Sequence, residues 1–511
     1  NGAGQRVGDF VPFTDVGTIS QSVAFNKADS DKLTIASSVS TSPTNVQKKT
    51  ISCWLKPLEA KENYIYVGDA GSDNSERIYS NSTGQIQYLT RDGSNSNAHV
   101  MTTGAFLADP TQWVHVVVAL DYTDGSTETD RVKIYVNGVR ITDLSATTYP
   151  ANNMTAQAYI NKASTDQIIG RHPSDSGANA FSNMYYAEYF MVDGEQLDAS
   201  VFGQLDTSTN RWVPKASSTI TTAINALTDG FGDCGFYLDF SNTSDYGEDD
   251  SGNNRDWTEG GVLDATNQFT DAPSKNFAVM NPGDQDSSTA TTLSKGNLKV
   301  SMGTTAGDGI RGTLPYNGKM YWEVEIDAIS SNSGSHIGIA TRNHNLALTA
   351  DDTSGNGQKD AFVGVSSFSS NLTGFISGSN FDSSYGGLGN NFGTAGKYLM
   401  FAVDTDAGKF WAGYDGTWFG SGNPAAGTND SGKDISLYDT WFPAISRIGS
   451  SGSEDFIFNF GQTSFAHTPP TGFSKLNQDN LDDTASKLTA WAWIKNRDAT
   501  DSHMLVDRVR G

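Results

Sequence analysis

Short runs of alternating apolar and polar residues, about ten residues apart and parted by turn signals, govern what this chain can fold into. The clearest is GKFWAGYDGTWF, Gly408 to Phe419, with two Trp, two Phe and one Tyr around an Asp-Gly pair. Asp-Gly between aromatic, alternating flanks predicts a β-hairpin closed by a type I′ turn, because that turn needs positive φ at both central residues. DRVKIYVNGVRITDL repeats the device with Asn-Gly and puts Val132, Ile134 and Val136 on one face. Long Ala/Leu/Glu/Lys runs with helical period are missing, while Gly alone supplies 53 residues. The pattern predicts an all-β chain, with one short helix at DASVFGQL capped by Asp198.

The patterned segments fall into two blocks, which predicts two antiparallel β-sandwich (jelly-roll) domains in series with loop-rich linkers. The expected division is an arm at 1–19, a first sandwich at 20–241, a linker packed on a domain at 242–292, a second sandwich at 293–462 and an extension at 463–511. Trp257 and Phe277 are the reason to pack the linker rather than leave it free. The extension reads as the start of a further module, and Asn1 in place of Met implies processing or partial representation. A net charge of −24 disfavours nucleic acid and anionic membranes as partners and is most simply a solubility device. No apolar run approaches the ~18–20 residues of a membrane-spanning helix, so no membrane insertion is expected. Two cysteines, Cys53 and Cys234, are too few for a disulfide framework or a zinc site. Buried free thiols are the default, and a bridge needs their strands to meet.

The first block resembles the laminin-G-like, concanavalin-A-like jelly rolls through VAFNKADSDKLTI, TISCWLKP, QWVHVVVALD, DRVKIYVNGVRI and YYAEYFMVDGEQLDASVFG. The second resembles a SPRY (B30.2-type) domain through GKMYWEVEID, HIGIAT, VDTDAGKFWAGYDGTWF and FPAISR…FNFG. The connecting phrases GFYLDFS…DDSGNNRDW…DAPSKNFAVMNP and FNFGQTSFAHTPPTGF are similar to those of bacteriophage tail-fibre and virion structural proteins. That resemblance implies a virion component, a homo-oligomer with trimer favoured, in contact with other virion proteins and host surface glycans.

Jelly rolls of this kind include glucanases, which need two facing carboxylates. The E-x-D-x-x-E run that carries them there has no counterpart here, and no serine-hydrolase elbow or H-E-x-x-H occurs. EVEID aligns Glu323, Glu325 and Asp327 on one strand face, best read as solvated, and His115 reads as structural. A non-enzymatic chain is expected, the alternatives being a polysaccharide-degrading enzyme or a secreted surface adhesin. SDYGEDDSGNNRD offers oxygen ligands for Ca²⁺ at Asp245, Asp249 and Asp250, beside Glu248 and Asn253, with a polar linker as the plainer reading. Sugar rings stack on aromatic faces, and NYIYVGD, ERIYSN, DGTWFGSGN and SSYGGLGNN supply rings beside polar residues, read as loops. Trp418, Tyr414 and Tyr385 are the candidate ligand contacts; Trp322 and one of Phe410 and Trp411 are expected in the core.

Overall fold

The computed structural model describes residues 17–481 except 39–40, 94, 174–176, 178–179, 208–209, 286–290, 305–306, 330–333, 345, 347–360, 367–371, 377–378, 384–393, 439 and 448–451, and adds the strands Trp491–Ile494 and Met504–Asp507. The chain is nearly all β, as its alternation predicts, and its larger sheets are antiparallel and pair into sandwiches.

Sheet I runs Val139–Arg140, Val132–Val136, Val114–Asp121, Lys48–Pro57, Met184–Asp193, Ser22–Phe25 and Gln268–Phe269, with Phe236–Leu238 also on Met184–Asp193. Sheet II runs Leu144–Thr148, Asn95–Thr102, Ile86–Asp92, Ser75–Ser80, Asn63–Asp69, Asp166–Ile169, Lys32–Ile35 and Thr258–Gly260. Between them lies a core of branched aliphatics and rings that includes Ile51, Cys53, Ile78, Tyr88, Val116 and Ile134. The segment expected as a linker thus supplies an edge strand to each sheet, and its Trp257 enters this core.

Sheet III contains Met280–Gln285, Gly309–Gly312, Trp441–Arg447, Ser335–Thr341, Phe362–Ser366, Leu372–Ile376 and Ser379–Ser383. Sheet IV contains Thr292–Ser294, Lys299–Met302, Glu454–Asn459, Lys319–Ile329, Lys397–Asp404, Lys409–Tyr414 and Thr417–Trp418. Trp322 is fully buried between them and stacks on Phe401 at 5.0 Å. Both hairpin turns have the required backbone: φ is 46° at Asn137 and 76° at Gly138, and 45° at Asp415 and 86° at Gly416.

The two sandwiches share apolar packing. Trp54, Trp113, Tyr185 and Phe269 on the outer face of sheet I belong to the same buried cluster as Leu298, Trp322 and Phe401. Within this joint the Lys56 ammonium meets the Asp271 carboxylate at 2.8 Å, both side chains fully buried. Asn276 and the Phe277 carbonyl accept from the same ammonium, and Trp113 Nε1 donates to the other Asp271 oxygen at 2.9 Å. Each buried charge is therefore paired and hydrogen-bonded, which is the condition for tolerating it. Tyr185 Oη also donates across the joint to Gly296, and Asn297 Nδ2 to Leu58.

The rest of the outer face of sheet I is covered by the hairpin Gly203–Asp206/Arg211–Pro214 and by the α-helix Ser217–Asn225, whose Ile220 and Ile224 are buried. The outer face of sheet IV is covered by the segment after residue 463. Phe465 and Phe473 pack there on Tyr321, Met400 and Trp411. Leu346 closes over Ala340, Phe362 and Ala444 of sheet III. On the outer face of sheet II most side chains, among them Tyr64, Val67, Arg77, Gln87, Leu89 and Ile168, are buried, while Tyr79, Arg91, His99 and Met101 are partly exposed.

Candidate functional site on the outer face of sheet II

Side chains alternate along a strand, so pairing register decides what shares a face. Tyr64 lies opposite Tyr79, Tyr79 opposite Gln87, and Gln87 opposite Met101. The next row sets Ile168 against Val67, Val67 against Arg77, Arg77 against Leu89, and Leu89 against His99. Tyr64 and Tyr79 stack with ring centroids 5.6 Å apart. The Tyr64 end is closed: Tyr64, Val67 and Ile168 are buried, and His172 packs edge-on to Tyr64 at 5.2 Å. The other end is partly exposed at Tyr79, Arg91, His99 and Met101.

Hydrogen bonds fix the chemistry that this open end presents. Tyr79 Oη donates to Gln87 Oε1 at 2.9 Å, and His99 Nε2 meets the same oxygen at 2.8 Å. A carbonyl oxygen only accepts, so Nε2 carries the imidazole proton and Nδ1 is left as an acceptor. Burial pushes the His99 pKa down, which favours this neutral form. The Gln87 amide nitrogen remains a donor, although the residue is only 6% exposed. A ring, an amide donor and an imidazole acceptor side by side match a pyranose, which offers an apolar C–H face and vicinal hydroxyls.

The sequence quoted these rings but placed NYIYVGD and ERIYSN on loops; they are strands, Asn63–Asp69 and Ser75–Ser80. Direct pairing of two Tyr-bearing strands was invisible without register. The other ligand candidates do not converge. Tyr385 lies outside the described residues. Trp418 pairs Gly413 while Tyr414 pairs Thr417, so the two rings take opposite faces of sheet IV. Trp418 packs edge-on to Tyr321, and Tyr414 packs on the main core. Phe410 is buried in the sandwich interior and Trp411 beneath the 465–473 segment, so both hairpin rings are core.

The Ca²⁺ set does not fit a metal. Asp249 accepts from the Tyr237, Ser251 and Arg255 backbone amides and the Ser251 hydroxyl, which occupies both of its oxygens. Asp245 accepts from Gly247, Glu248 from Asn242, and Asn253 donates to Gly232 and Gly235. Burial, and after it the neighbouring Asp239, hold the Asp250 carboxyl up at about 6. Among the described residues no three His, Cys, Asp or Glu are placed to hold a metal ion. Nor is EVEID a solvated face throughout: Glu323 is fully buried and accepts from Tyr321 Oη and the amides of Ala466 and His467.

Ser52 Oγ and His115 Nε2, 2.9 Å apart, resemble a nucleophile and base. Trp212 Nε1 donates to His115 Nδ1 at 2.9 Å, and indole N–H is only a donor. The imidazole proton therefore sits on Nε2 and is given to Ser52, so this histidine cannot take the serine proton. Burial lowers its pKa to about 3, in keeping with a structural role. Cys53 and Cys234 are both buried, free thiols.

Comparison with known proteins agrees with the first sandwich. Residues 27–181 match the family model described as the Concanavalin A-like lectin/glucanases superfamily. Over those residues the chain is similar to the laminin-G-like, concanavalin-A-like lectin-fold domains. Similar solved structures include the SPRY domain of human HERC1, 13% identical over 36% of this chain and 99% of that one, with a TM-score of 0.26. Another is a carbohydrate-binding protein, so titled provisionally, from Bacteroides ovatus, 15% identical over 48% and 58% of the two chains, TM-score 0.27. Domains LG4-5 of the mouse laminin alpha1 chain match at 9% identity over 93% and 90%, TM-score 0.28. No curated protein matches the sequence.

Proposed function

We propose that this chain is a non-enzymatic glycan-binding protein and that the partly exposed end of the sheet II face, Tyr79 and His99 joined through the largely buried Gln87, takes the sugar. The observation that carries the reading is the Gln87 carbonyl tied to Tyr79 and His99, which leaves an amide donor and an imidazole acceptor beside a partly exposed ring. A glycan array probed with the whole chain tests it. Tyr79→Ala is expected to weaken the bound glycans about tenfold, the scale of a lost aromatic stack, while Trp418→Ala leaves them unchanged. An array with no glycan bound, or loss only in Trp418→Ala, contradicts the reading.

The finer placement, in a bacteriophage tail fibre or related appendage with other virion proteins and copies of itself, rests on the resemblance of the connecting phrases. Antibody against the chain is expected to label virions. Label on bacterial cells instead favours a surface adhesin.

A further inference from the structure

The sheet II face carries two guanidinium groups, Arg77 and Arg91, with the carboxylates of Asp73 and Glu62 at its Arg77 and Tyr64 side. Arg77 is 4% exposed; its Nε donates to Ser75 Oγ at 2.7 Å and its Nη1 meets His172 Nε2 at 2.9 Å. Its Nη2 makes no hydrogen bond, the nearest carboxylate being Asp73 at 3.6 Å. Arg91 lies opposite Ser75, so the two guanidinium-bearing side chains are diagonal neighbours on one face. Arg91 Nε is buried without a partner, and no carboxylate among the described residues lies within ion-pair distance of Arg91.

Water can reach the partly exposed Arg91 guanidinium, but its buried Nε has no hydrogen-bond partner among the described residues, so a ligand acceptor there would complete it. Arg77 is too buried to meet a polymer directly, and Asp73 offsets its charge; it fixes Ser75, which lies opposite Arg91 on the neighbouring strand. Arg91 is partly exposed at the edge of the Tyr79, Gln87 and His99 patch. Planar guanidinium matches planar carboxylate through two parallel hydrogen bonds.

We infer that the glycan taken by this face is acidic, a polysaccharide bearing uronate carboxylates, with Arg91 as the carboxylate contact and Tyr79 as the stacking platform. This rests on the glycan-binding reading above. The net charge of −24 repels a polyanion, so affinity for one must come from a local site.

The test titrates the whole chain with polygalacturonate, a neutral glucan and dextran sulfate. Polygalacturonate is expected to bind at least tenfold more tightly than either of the others. Arg91→Gln is expected to remove that preference, with binding of the neutral glucan unchanged, and Arg91→Lys to restore it in part. Tyr79→Ala weakens every glycan that binds. Equal affinity for the neutral glucan, preference for dextran sulfate, or an unaffected Arg91→Gln variant overturns the inference and leaves the glycan reading standing. Absence of binding to all three, with an array that is also blank, sinks that reading itself.

Discussion

Glu188 shows what the fold asks of one residue. It sits at a bulge between Ala187 and Phe190, with φ at 49°, an uncommon conformation for a side chain of its size. The bulge turns its carboxyl to the outer face of sheet I, where Tyr237 Oη and Ser217 Oγ donate to it. Burial raises its pKa to about 7, and Asp239 and Asp250 push the same way. A carboxyl raised in the folded state holds its proton where the unfolded chain has lost it. Its contribution is therefore complete below the unfolded value near 4.5 and falls as pH climbs to about 7, by up to about 3 kcal/mol. Glu188→Gln is expected to raise the melting temperature at pH 8 and change little at pH 4, checked by thermal melts across that range. Glu323 is a second buried carboxylate held by hydrogen bonds. Glu323→Ala strands the Ala466 and His467 amides and the Tyr321 hydroxyl, and should cost about 3 kcal/mol in denaturant unfolding.

At the scale of elements, turn chemistry was legible and covering segments were not. Asp415-Gly416 and Asn137-Gly138 announce their hairpins because few residues accept positive φ twice in succession. Gly416→Ala should cost about 1 kcal/mol, since φ is 86° and the new methyl would stand 3.3 Å from His467. Equilibrium unfolding measures it. Asp198 caps its short helix as the sequence suggests, accepting from Ser200. The helix Ser217–Asn225 escaped notice because SSTITTAIN is rich in β-branched residues that favour strands. Its signal was the Ile220 and Ile224 pair at i, i+4, both buried. The outer-face core of sheet IV was illegible for a different reason: alternation marks two faces of a strand but does not say what will cover the second. The 465–473 segment, far along the chain, together with the loop through Gly422 and Thr428, turns Trp411 from a surface ring into a buried one. The candidate site was half legible in the same sense: the residue types were in view, their register was not.

At the scale of the whole molecule, the joint makes one body of two sandwiches. Apolar cluster and polar network both cross it, anchored on Lys56 and Asp271. Calorimetry is expected to show one unfolding transition. Asp271→Ala leaves the Lys56 ammonium and the Trp113 indole without their partner, at about 3–5 kcal/mol, and should split that transition in two. The same joint covers part of sheet I, and other segments pack on sheets III and IV, while the sheet II face stays partly exposed at Tyr79, Arg91, His99 and Met101, where the glycan is proposed to bind. Hydrogen–deuterium exchange of the whole chain, with and without a glycan selected from the array, tests this most directly. Slowed exchange across Ser75–Ser80 and Ile86–Asp92, with the hairpin Lys409–Trp418 unchanged, is the expected result. Protection confined to that hairpin, with sheet II indifferent to the sugar, would contradict it.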